Sequence, residues 1–183
     1  ASFIVDTAFD TIDANPGDGE CKDENGFCSL RAAIDEANAT DGTDSIILPA
    51  GIYELTLTGR EDNFNKTGDL DITDTLIING DGADQTFIQA GSNDSNGIDR
   101  VIDLISTQLN LNGVTVRYGN VADSESTNGG GIRAFQSSLF LTDSAAVFNT
   151  AVGNGGGIMN TGGAVSLQRS LLANNVAEDG AAI

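Results

Sequence analysis

The chain of 183 residues has no histidine, no tryptophan, one methionine, two prolines, two cysteines and only eight lysines and arginines. Each scarcity excludes something. Without histidine, the imidazole acid–base and metal-ligand chemistries are closed to it. With so few cations and a formal net charge of −19 it lacks the basic patch that nucleic acid or an anionic membrane surface requires. No apolar run approaches the 18 residues of a membrane span. Two cysteines cannot complete a zinc shell when no histidine assists them.

What the chain has in plenty is glycine, 23 residues of it, placed at regular distances. Asn128-Gly129-Gly130-Gly131-Ile132 returns as Asn154-Gly155-Gly156-Gly157-Ile158 and begins again as Asp179-Gly180-Ala181-Ala182-Ile183. A repeat of this length marks a stacked architecture, in which one unit buries its apolar face only against neighbours. Between the glycines, Leu139 and Leu141 alternate with polar residues, then Ser144, Ala146 and Phe148. Val165, Leu167 and Leu172 follow in the next repeat, with Leu109, Leu111, Val114 and Val116 in the preceding one. Alternation with period two predicts half-buried strands, two or three per repeat. Leu70, Ile72, Leu76, Ile78, Phe87 and Val101 to Leu104 carry the pattern backwards, and residues 44–55 form a first coil. The fold class is therefore all-β, a parallel β-helix (β-solenoid) of about five coils over residues 43–183. Glycine and asparagine are expected at its corners because they tolerate positive φ. The polar stretches 59–68 and 91–99 are expected outside the stack.

Residues 1–42 follow other rules and form an N-terminal cap. Leu30, Ala33, Ile34 and Ala37 recur at helical spacing, with Ser29 as N-cap and Asn38 or Gly42 as the stop. A short amphipathic helix there would cover the first coil's exposed cross-section, with Phe3-Ile4-Val5 as an added edge strand. Cys21 and Cys28 flank six residues just before this helix and are expected to form a disulfide, which implies an oxidising compartment. The neighbouring loop is rich in carboxylates. Asp13, Asp18, Glu20 and Asp23 either coordinate Ca²⁺ through clustered oxygens or form an ordinary solvated turn.

Asn15-Pro16-Gly17-Asp18-Gly19, Cys21 and Cys28-Ser29-Leu30-Arg31-Ala32-Ala33-Ile34 together resemble an N-terminal signature of secreted bacterial parallel β-helix proteins, recognised by a Cys-Ser-Leu-Arg-Glu-Ala core. Ala32 stands where glutamate is usual. Gly68-Asp69-Leu70-Asp71-Ile72, Arg100-Val101-Ile102-Asp103 and the glycine corners resemble the same family. The resemblance covers essentially the whole chain. It implies a pectin-lyase-like right-handed β-helix at or beyond the bacterial cell surface, and it does not imply an enzyme.

A structural or adhesive role is the expectation that follows, with polysaccharide binding or lyase-like cleavage as the alternative. A hydrolase would need a carboxylate pair, for which Asp71, Asp74, Asp81, Asp84 and Asp103 are candidates. A lyase would draw its base from Arg100, Arg117, Arg133 and Arg169, of which Arg117 and Arg133 could be neighbours on adjacent coils. No catalytic residue is assigned. The third glycine repeat is expected either to continue in a longer solenoid or to stack head-to-tail on a second copy, giving an extracellular filament. The start at Ala1 resembles a chain after signal removal.

Overall fold

The computed structural model describes residues 1–60, 62–121 and 127–183. Period-two alternation produces short strands that stack by backbone pairing into a parallel β-solenoid. In chain order, the cap contributes β1 (Ser2–Ile4) and α1 (Leu30–Ala39), and an opening half-coil follows with β2 (Asp44–Leu48) and β3 (Gly51–Glu54). The second coil is β4 (Leu70–Ile72), β5 (Leu76–Gly80) and β6 (Thr86–Gln89). The third is β7 (Ile102–Ile105), β8 (Gln108–Asn112), β9 (Thr115–Arg117) and β10 (Asn120–Val121). The fourth is β11 (Ile132–Phe135), β12 (Ser138–Thr142), β13 (Ala145–Val147) and β14 (Thr150–Ala151). The last is β15 (Ile158–Thr161), β16 (Val165–Gln168) and β17 (Leu171–Ala173).

These strands form three long parallel sheets, ordered β1-β2-β5-β8-β12-β16, β3-β6-β9-β13-β17 and β4-β7-β11-β15, plus the pair β10-β14. The stack thus has four complete coils above one half-coil, close to the five expected. Register places like on like. Leu76, Leu109, Leu139 and Val165 form one inward column, and Leu70, Ile102, Ile132 and Ile158 another. All of these except Val165 are fully buried. Side chains of one face stack on those of the next coil at strand spacing, so the core is a set of apolar ladders.

The corners are only partly glycine. Gly129 (φ 70°) and Gly155 (φ 66°) do adopt left-handed backbone. Gly131 and Gly157 serve a different need: a Cβ on Gly131 would meet the Gly157 carbonyl oxygen at 2.5 Å. Coils are stacked too closely there for any side chain. Elsewhere left-handed corner positions hold other residues: Ser106 and Gln136, then Asp143 and Arg169, then Tyr118 and Phe148. The expectation of glycine and asparagine at every corner is corrected by these. All but Arg169, which lies on the last coil, are held by the next one, as where the Gln136 amide donates to Thr161 O (2.8 Å) and the Asp143 amide to Gln168 O (3.0 Å). A buried asparagine ladder adds to this, with Asn149 Nδ2 donating to Asn175 Oδ1 (3.1 Å).

Helix α1 lies against β4 and β2, at the free edge of β4. Ser29 is its N-cap, accepting from the Ala32 amide, and Thr40 its C-cap. Leu30, Ile34 and Ala37 are buried, as the helical spacing predicts. The cap also satisfies the strand edge chemically. Asn38 Nδ2 donates to Asp71 O (2.8 Å) while its Oδ1 accepts from the Thr73 amide (2.9 Å), so one side chain substitutes for a neighbouring strand. The Arg31 guanidinium, 1% exposed, donates to Asp69 O and Gly68 O (2.8 Å each) and pairs with Asp10 at 2.6 Å. Strand β1 extends the first sheet over β2, as expected for Phe3-Ile4-Val5. Cys21 and Cys28 form the disulfide.

The loop that starts at Gly59 does not stay outside the fold. Asn65 is fully buried: its amide donates to Asp71 Oδ2, its Oδ1 accepts from the Asp71 amide and its Nδ2 donates to Arg31 O. Polarity in the sequence signalled a solvated loop, whereas its polar atoms are consumed by the helix and by β4.

Candidate functional site

Three buried carboxylates meet on the outer face of the β4-β7-β11-β15 sheet. Alternation sends Leu70 and Ile72 inward, so Asp71 points outward, and parallel register sets it beside Asp103 on β7 and Arg133 on β11. Asp69 precedes β4 on the same side. An oxygen from each of Asp69, Asp71 and Asp103 lies within 4.8 Å of the others, and all three residues are buried. The loop around Asn65 closes over them from outside.

Two guanidiniums offset part of this charge. Arg100 Nε donates to Asp69 Oδ2 at 2.7 Å, with Arg100 itself 1% exposed. Arg133 grips Asp103 with two parallel bonds, Nε to Oδ1 at 2.9 Å and a terminal nitrogen to Oδ2. Asp71 fares differently. Its Oδ2 accepts the Asn65 amide at 2.8 Å, but its Oδ1 has no hydrogen-bond partner. Burial pushes the Asp71 carboxyl up to about 7, and the negative charges of Asp103 and Asp62 act in the same direction. Burial likewise raises Asp69 well above the usual carboxylate range, reinforced by Asp71 and Asp99 and opposed by Arg100. Chemically the cluster can hold a proton near neutrality or ligate a hard cation through oxygen.

Beside it, Asn63, Thr73, Ile105, Arg133 and Phe135 line an open recess of about 410 Å³. Arg133 belongs to both, so the cluster borders this recess rather than lying beneath an unbroken wall.

The carboxylates of the cap loop are placed otherwise. Asp13 accepts the Asn15 and Lys22 amides, Asp18 the Glu20 amide, and Asp23 the Asn25 and Phe27 amides, while Glu20 pairs with Lys22 at 2.6 Å. Among the described residues these four do not gather into a three-carboxylate group; only Asp69, Asp71 and Asp103 do. The loop's glycines instead receive the helix: Glu36 accepts the Gly17 and Gly19 amides at 2.6 and 3.0 Å. Of the other carboxylates singled out by type, Asp74 and Asp81 accept the Gly42 and Ala50 amides at coil corners. Arg117 and Arg133 are not neighbours. Arg117 sits on the β3-β6-β9-β13-β17 sheet over the Phe87 ring (4.1 Å), and Arg169 pairs with Asp143 at a solvent-facing corner. The register between coils decides this, and residue type carries no record of register. Asp62, Asn65 and Asp69 were missed as site residues. The alternation of β4 and β7 was enough to put Asp71 and Asp103 on one face, but nothing local indicated that a loop would bury them.

No protein-family model matches the chain, and neither does any curated protein or solved structure. No helix among the described residues is long and apolar enough to cross a membrane.

Proposed function

We propose that the chain is a β-solenoid module of a secreted or cell-surface bacterial protein, with a structural or adhesive role, whose exposed last coil stacks on a second copy. The observation that carries this is the asymmetry of the two ends. At one end α1, Asn38 and Arg31 meet the strand edge with side-chain hydrogen bonds. At the other the apolar ladder runs out into solvent: Leu141 is 1% exposed and Leu167, one coil later in the same column, 41%. Exposed apolar cross-section with open strand edges favours a partner of the same geometry. The disulfide suits an oxidising compartment, and the charge of −19 suits solubility there. Negative-stain microscopy of the purified chain tests it. Rods longer than one module are expected at high concentration; short single particles at every concentration would oppose it.

A second reading, polysaccharide binding or cleavage, is favoured by one observation, the recess that Arg133 and Phe135 line beside the buried carboxylates. Incubation with acidic and neutral polysaccharides, with and without Ca²⁺, tests it. Retention on a polysaccharide column or release of unsaturated or reducing ends would support it, and neither would oppose it.

A further inference from the structure

We infer that Asp69, Asp71 and Asp103 form a binding site for a hard divalent cation, of the Ca²⁺ class, that ties the loop around Asn65 to the second and third coils. Neither the structural reading nor the recess is needed for this. Three features carry it. The oxygens are close enough to share one ion, within 4.8 Å of one another, and no softer ligand accompanies them. Acidic groups crowd the cluster further, Asp62 standing against Asp71 and Asp99 against Asp69, while among the described residues Arg100 pairs with Asp69 and Arg133 with Asp103. The third is the Asp71 Oδ1 atom, without a hydrogen-bond partner in a residue 1% exposed. A buried carboxylate oxygen left so is costly, and Asp62, which stands against Asp71, cannot bond it unless a proton lies between them. A cation supplies what both lack.

The ion would bridge side chains from three segments. Asp69 and Asp71 flank Leu70 in β4, Asp103 lies on β7, and Asn65 ties the overlying loop to Asp71 through both its amide and its side chain. Because Arg100 and Arg133 already share two of the carboxylates, binding should be weak, on the order of 10⁻⁴–10⁻³ M, as in other extracellular modules.

The test uses the whole chain, stripped of metal with chelator. Ca²⁺ added to a hundredfold excess over Kd should raise the Tm by about 5 °C. Asp71→Asn should abolish that shift, while Asp143→Asn, at an exposed corner, should leave it intact. Should Asp71→Asn fail to fold, Mn²⁺ line broadening in the parent protein locates the ion without a variant. Amide signals of Asn65, Asp71 and Asp103 should broaden first. Broadening confined to Asp13, Asp18, Glu20 and Asp23 would overturn the assignment in favour of the cap loop. Absence of any divalent response would overturn it in favour of a proton held between Asp62 and Asp71.

Discussion

Single residues in this fold are governed by how closely coils approach, more than by their own conformational preference. Gly131 and Gln136 separate the two effects. A methyl group at Gly131 would press on Gly157 O at 2.5 Å and on Asn149 Nδ2 at 2.8 Å, and neither can retreat without opening the stack. Gly131→Ala should therefore cost about 2 kcal/mol in urea unfolding, the range of overpacked cores. Gln136 is exposed and left-handed at φ 49°, so glycine there relieves strain at some entropic cost. Gln136→Gly should be stabilising by about 0.5 kcal/mol. A near-neutral Gly131→Ala beside a stabilising Gln136→Gly would show instead that φ alone rules the corners. Asp35 supplies a pH-dependent case. Its burial raises its pKa despite the hydrogen bonds from the Asp13 amide and Asn65 and the charge of Lys66. A carboxyl whose folded pKa is raised adds stability that is full below its unfolded value, about 3.9, and is lost as pH rises through the folded value. The stability difference between parent and Asp35→Asn should thus shift against the parent as pH rises from acid toward neutral. A difference independent of pH would contradict the assignment.

Among the elements, the cap helix shows what patterning does and does not reveal. The helical spacing of Leu30, Ala33, Ile34 and Ala37 was enough to identify α1, its N-cap Ser29 and its buried face. It said nothing of how the helix meets a strand edge, because that work is done by polar residues whose partners are 33 to 38 positions away. Asn38→Ala should leave Asp71 O and the Thr73 amide without their partner and cost about 2 kcal/mol, measured by thermal or urea unfolding. Arg31→Ala strands the buried Asp10 carboxylate as well as two carbonyls, so a larger loss is expected, about 3–5 kcal/mol. If Asn38→Ala unfolds like the parent, solvent or a shifted loop must satisfy β4, and α1 is only an apolar lid. The strands were legible for a related reason. Period-two alternation is a local signal, and stacking like on like needs only that each coil repeat the last. The acidic site was half legible: β4 and β7 each carry an outward aspartate, but the burying loop around Asn65 reads as polar and solvated until its partners are known.

At the scale of the whole molecule, stability is approximately a sum over coil–coil interfaces, so an uncovered final interface leaves the last coil weakest. That coil carries Leu167 at 41% exposure, against the fully buried Leu111 two coils earlier in the same column. The net charge of −19 opposes close approach of two copies, so association should strengthen with added salt that screens it. Sedimentation velocity across a concentration series, at low and moderate ionic strength, tests the central claim most directly. The account predicts concentration-dependent association beyond the monomer that grows with salt and is lost in Leu167→Asp, whose charge falls on the exposed inward column. A single monomeric species at every concentration and salt, unchanged by Leu167→Asp, would contradict it.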